Sequence, residues 1–149
     1  MLNSKGEAVW LFHQKEAVRI EISYQINQAV ESLVFGVGIL RLDGVCLHGT
    51  NTDIESVEAP LPENNSSSYP LKGKLSYTIE SLQMLEGSYH LDIAAHKPDG
   101  TPYDYHHELF KFSVRSKIPY QGVYVPEHSW EFKPEYEVAK GNDLSVKRA

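Results

Sequence analysis

At 149 residues the chain has room for one domain with a substantial core, and too little for two ordinary ones. Apolar residues make up 41% and charged residues 23%, the balance of a globular domain rather than a disordered segment. The formal charge of −6 argues against a nucleic-acid partner, whose phosphates select basic patches.

Cysteine usage and hydropathy narrow the class further. Cys46 is the single cysteine, so no internal disulfide forms and a reducing compartment is acceptable. Between Val45 and Leu47 it reads as an inert, packed thiol rather than a nucleophile. Nothing at the start reads as a signal peptide, and no apolar run approaches the ~18 residues of a membrane span.

In chain order, residues 8–12 (AVWLF) are a short apolar run and a first strand. Lys15-Glu16 breaks it. In residues 17–26, Val18, Ile20, Ile22, Tyr24 and Ile26 share one face, while Arg19, Glu21, Ser23 and Gln25 share the other. That alternation belongs to a strand with one wet face, common in antiparallel sheets. Residues 35–53 read as a hairpin. Phe35, Val37 and Ile39 alternate with Gly36 and Gly38, and Asp43-Gly44 supplies the tight turn. Strand glycines mark covered backbone or a close approach by a ligand.

Residues 58–70, with three prolines and an Asn/Ser cluster, form a loop. Alternation returns at Leu75, Tyr77 and Ile79, and again at Tyr89, Leu91, Ile93 and Ala95, which place His90, Asp92, Ala94 and His96 on the opposite face. Pro98-Asp99-Gly100 is a turn, and residues 103–115 follow with Phe110, Phe112 and Val114 in alternation. No convincing helical repeat occurs. The pattern predicts an all-β, antiparallel β-sandwich of Ig-like or jelly-roll type. After Ile118-Pro119, residues 122–125 are one more strand-like piece, and Trp130 and Phe132 are the last large apolar residues. This piece can close on its own sheet or exchange with a second copy. The domain is thus expected over 1–132, with a frayed polar tail over 133–149.

Phosphate-binding loops, a GxSxG elbow, HExxH and CxxC are all missing from the sequence. His90, Asp92 and His96 share a face by parity, but an i, i+2 pair on one strand lies ~7 Å apart, so a metal site needs neighbours the sequence does not specify. No metal and no cofactor is expected. An enzyme needs a carboxylate pair at working distance, for which Asp92 and Asp104 are the obvious candidates. A solvated sheet face is the plainest alternative. Histidine, aspartate and tyrosine together suit a saccharide better, with hydrogen-bonding groups for hydroxyls and flat rings for the sugar's C–H face.

The succession FGVGI (35–39), DGV (43–45), GTNT (49–52), LEGSYHLDI (85–93), YDY (103–105) and FSV (112–114) resembles the carboxy-terminal domain of Wzt-type proteins, the nucleotide-binding subunits of ABC transporters that export O-antigen polysaccharide. The likeness runs from about residue 17 to 130. It implies a non-catalytic β-sandwich that recognises the terminally modified end of a lipid-linked O-polysaccharide in the cytoplasm, peripheral to the inner membrane, and couples it to export. It also implies a homodimer that exchanges its last strand, here Val123, Tyr124, Val125 and Trp130. The partners implied are the glycan, the ATPase domain and the transmembrane subunit. The ATPase domain has no counterpart in these residues, so the chain is expected neither to bind nor to hydrolyse ATP. The resemblance makes Gly44, Thr50-Asn51-Thr52, Gly87 and Tyr89 structural and supplies no binding residues. Strand parity supplies a face carrying His48, His90, Asp92 and His96, edged by Arg41, Tyr103 and Tyr105, with Gly36 and Gly38 giving room. The opposite sheet, around Arg19, Gln25, Lys74 and Thr78, is the other candidate face. An Ig-like dimerisation domain with no ligand of its own is the other functional reading.

Overall fold

A computed structural model describes residues 1–62 and 68–135. The middle of the 58–70 loop and the tail beyond 135 lie outside the described residues. The strands are β1 (Leu11–His13), β2 (Val18–Ile26), β3 (Val34–Arg41), β4 (Cys46–Asn51), β5 (Leu71–Ile79), β6 (Gly87–His96) and β7 (Pro102–Arg115). They form a five-stranded sheet in the order β1-β7-β6-β3-β4 and a two-stranded sheet of β2 and β5. The described residues contain no helix, and the all-β sandwich follows from the alternation of each segment.

One pairing departs from the expected antiparallel scheme. β1 runs parallel to β7, with Leu11 opposite Ser113. No hairpin ties these two strands, so connection geometry does not impose an antiparallel arrangement. The first strand is also shorter than the apolar run: residues 8–10 lie outside it, and Ala8 instead bridges Leu2.

The core lies between the sheets. Val18 and Ile20 of β2 face Val37 and Ile39 of β3, Tyr89, Leu91 and Ile93 of β6, and Phe112 and Val114 of β7. Each such side chain gains about 1.5–3 kcal/mol on full burial. Phe12 of β1 meets Phe112 edge-to-face, with ring centroids 5.9 Å apart. The β3–β4 turn closes with Gly44 at φ 85°, a left-handed value that an L side chain strains to reach. Within GTNT, Thr50, Asn51 and Thr52 hold the chain in place. Thr52 Oγ1 accepts from the Phe35 amide at 3.1 Å, Asn51 Oδ1 accepts from the Ile54 amide at 2.8 Å, and the Thr50 hydroxyl donates to Glu55.

Two strands cannot cover five. Among the described residues, the inner face of the large sheet stays open beside β2, as a cleft of about 890 Å³ between Ile22 and Tyr24 on one side and Phe35, Leu91, Ile93 and Phe110 on the other. Among the described residues, only Leu2 bonds the outer edge of β2, at Arg19, and the rest of that edge lies beside this opening.

The segment at 122–125 forms no strand among the described residues. Gly122 sits at φ 109° and bends the chain, and Pro126 ends it. Val125 is buried on its own domain and donates its amide to the Gln83 carbonyl at 3.1 Å. Val123, Tyr124, Trp130 and Phe132 are exposed.

Candidate functional site

On the outer face of the large sheet, glycines from two strands meet. Gly38 of β3 pairs with Gly49 of β4 on one side and Asp92 of β6 on the other. Gly36 pairs with Asn51 and Ala94. A Cβ on Gly38 would come no nearer than 3.4 Å to Asp92, and one on Gly49 would meet only Cys46 Sγ at 3.6 Å. The result is a shallow trough of bare backbone, with Asp92 along one side and Cys46 at one corner. Cys46 is exposed, so its expected packing does not occur: by register it sits opposite Leu40, on the solvent face of an edge strand.

Asp92 is only 6% exposed, unusual for a carboxylate. Its burial is matched by three donors. Tyr105 donates its hydroxyl to Oδ2 at 2.7 Å, His107 Nδ1 lies 2.8 Å from the same oxygen, and the Glu108 amide donates to Oδ1 at 2.8 Å. A break in the β6–β7 register creates this arrangement. Leu91 pairs with Phe110 and Ile93 with His106, so residues 107–109 bulge opposite Asp92, and Glu108 takes a left-handed φ of 51°. The bulge turns the Glu108 amide onto the buried carboxylate. It also sets the Glu108 carboxylate 3.3 Å from His90 Nδ1 and 3.7 Å from His107 Nε2.

Protonation follows from these contacts. Burial opposes ionisation of Asp92, but the hydrogen bonds from His107, the Glu108 amide and Tyr105 outweigh it and hold the carboxyl below the usual carboxylate range. The hydrogen bond to Asp92 raises the His107 imidazole above its ordinary value, against a smaller effect of burial. The same carboxylate raises the Tyr105 phenol. Tyr105 and His107 stand with ring planes within 13° of parallel and centroids 6.3 Å apart, both more than half exposed.

Of the residues expected on this face, the structure brings together His90, Asp92 and Tyr105. The others lie elsewhere. His48 pairs with the core residue Ile39, so it projects to the inner side, where its Nε2 lies 2.7 Å from the Tyr77 hydroxyl. Arg41, opposite Tyr89, is at the far end of β3 and pairs with Asp43 of the turn. His96 is at the other end of β6, four residues or ~13 Å from Asp92 along the strand, with Nδ1 on the Lys97 carbonyl. A second break in register, between Ala95 and His96, displaces Tyr103, which lines the inter-sheet cleft and donates to the Ser32 carbonyl at 3.0 Å. Asp104 also lines that cleft and pairs with His106 at 3.0 Å, so Asp92 and Asp104 lie on opposite faces and do not form a carboxylate pair. Arg19, Gln25, Lys74 and Thr78 lie on the two-stranded sheet, where Arg19 pairs in the ladder with Thr78. Sequence reasoning did not select His107 and Glu108. Alternation places His107 beside Tyr105, but no glycine signals the bulge that recruits Glu108.

Residues 1–125 match the family model described as the Wzt C-terminal domain. The chain is 26% identical over 134 residues to the O-antigen export system ATP-binding protein RfbB of Myxococcus xanthus, an alignment covering 90% of the chain. It spans 28% of that relative's length. It also superposes on a crystal structure of the C-terminal domain of wzt, with a TM-score of 0.67 and 16% identity, covering 88% of this chain and 78% of the other.

Proposed function

The chain belongs to the Wzt C-terminal domain family, and on that premise we propose that it is a non-catalytic carbohydrate-binding module of an O-antigen export system. In this reading it engages the terminally modified end of the O-polysaccharide at the cytoplasmic side of the inner membrane. It works beside an ATPase domain and a transmembrane subunit.

One observation carries the reading to a place on the molecule. The outer face of the large sheet joins a backbone trough at Gly38 and Gly49 to exposed rings at Tyr105 and His107. A trough of bare backbone admits a sugar ring, and oriented aromatic groups give its C–H face a surface to rest on. Affinity at one such shallow face need only be modest, because linked copies on one transporter gain by effective concentration.

The homodimer expected from the resemblance has a physical motive. The inter-sheet cleft is largely apolar and lies beside a stretch of β2 that is unpaired on its outer edge among the described residues, while Val123, Tyr124, Trp130 and Phe132 are exposed. An extended segment from a second copy can pair along that edge and fill the opening. The same features favour the other reading, an interaction domain without a ligand.

Titration of the purified domain with O-polysaccharide from its own strain and from an unrelated serotype separates the two. Heat of binding with the first glycan alone supports the module. No binding to either, from a domain that is dimeric by light scattering, supports the interaction domain.

A further inference from the structure

The Asp92 network points to a division of labour within the proposed glycan site. Both Asp92 oxygens are already occupied, Oδ2 by Tyr105 and His107 and Oδ1 by the Glu108 amide, and the side chain is buried. A carboxylate so engaged has little left to offer a ligand. Its partners do face solvent. The side chains of His107 and Glu108 are 56% and 53% exposed.

We propose that Tyr105, His107 and Glu108 make the specificity-determining contacts to an uncharged pyranose, and that Asp92 is the positioning residue that fixes them without touching the sugar. This rests on the glycan-binding reading above and names the class of sugar. The two rings give C–H surface, and the Glu108 carboxylate accepts from hydroxyl groups. Acceptance by a charged oxygen is stronger than by a neutral one, so adjacent hydroxyls suit it. The proton shared by Asp92 and His107 is spent on their own pair, which leaves Glu108 as the outward carboxylate of the bulge. Lys111, opposite His90 in the ladder, puts a cation on the same face, and a uronide seated on Lys111 instead of Glu108 would bind more tightly, which is the outcome that overturns the proposal. A uronic acid or phosphorylated sugar brings its anion against Glu108, with Asp92 behind it, and loses the hydroxyl contact there.

The test is an NMR titration of the domain with neutral methyl hexopyranosides and with the matching methyl uronides, read at assigned side-chain signals. Expected are saturable shifts of the Tyr105 and His107 ring signals with neutral sugars, weaker by about tenfold in apparent affinity with uronides, a difference of about 1.4 kcal/mol. Glu108→Gln removes that preference. Asp92→Asn brings the His107 titration back toward its ordinary midpoint and weakens the neutral sugar, an effect on His107 that loss of stability alone does not produce. Equal or stronger binding of uronides overturns the proposal. So do shifts confined to the inter-sheet cleft, or no shift with any sugar while the O-polysaccharide itself binds. If the O-polysaccharide also fails to bind, the glycan-binding reading fails instead.

Discussion

Asp92 Oδ2 lies 2.8 Å from His107 Nδ1 across the β6–β7 ladder, and the same oxygen takes the Tyr105 hydroxyl at 2.7 Å. A single buried carboxylate therefore sets the orientation of two exposed rings. Structure and proposed binding are linked through that atom, and several outcomes follow from it.

Asp92→Asn keeps the shape and removes the charge. The amide NH2 cannot accept from His107 or Tyr105, so at least one buried contact is lost. Hydrogen bonds to charged groups contribute about 1.5–3 kcal/mol, and a loss of about 2 kcal/mol is expected in urea unfolding. An unchanged midpoint contradicts the network.

The pair also fixes a pH window. Asp92 is lowered in the fold, so its contribution is complete above the unfolded value of about 4 and fades as pH falls through the lower native value. His107 is raised, so its contribution is complete below about 6.5 and fades as pH climbs through the higher native value. The groups facing His107 are Asp92, Tyr105 and Glu108, with His90 on the far side of Glu108. The pair's stabilisation is therefore greatest between about pH 4 and 6.5. Comparing wild type with His107→Gln across pH reveals it: the stability gap should be widest in that window and narrow on both sides.

Gly49→Leu tests the trough. A Cβ at this position meets only Cys46 Sγ, at 3.6 Å, and the rest of the side chain leaves the sheet on its outer face, so stability should change little. It nevertheless occupies the space beside Gly38, and glycan affinity should drop tenfold or more. Unaltered affinity in a folded variant places the ligand elsewhere.

Gly73→Ala tests the second sheet. The Tyr24 ring lies where a Cβ on Gly73 would sit, and that ring packs on Phe35 with centroids 4.9 Å apart. Displacing it should cost about 1–3 kcal/mol, the usual range for overpacking, seen as a lower thermal midpoint with the sheet content unchanged in far-ultraviolet circular dichroism.

Much of this fold is legible in the sequence. Strict alternation marks β2, β5 and β6, and Asp43-Gly44 and Asp99-Gly100 mark turns that the structure contains, with both glycines at positive φ. Alternation also assigns Asp92 and Tyr105 to one face. It does not show the bulge at Asp92, because three residues, 107–109, face one and the two extra residues return Phe110, Phe112 and Val114 to the parity of His106. Hence Tyr103 goes to the cleft and Glu108 joins the site without a signal. His48 shows a different failure. Parity places it on the polar face, but the register slips between Ile39 and Leu40, leaving Leu47 as an extra residue, and His48 pairs with Ile39 and turns inward. Nor does a short apolar run such as residues 8–12 reveal that its last residues will run parallel to a strand a hundred residues away.

The most direct test of the central claim is a calorimetric titration of the O-polysaccharide from the source strain into wild-type domain and Tyr105→Ala, each checked for fold beforehand. Saturable binding by wild type and its loss in the variant is the predicted result. Binding of equal strength in both contradicts the assignment of the glycan to the outer face of the five-stranded sheet.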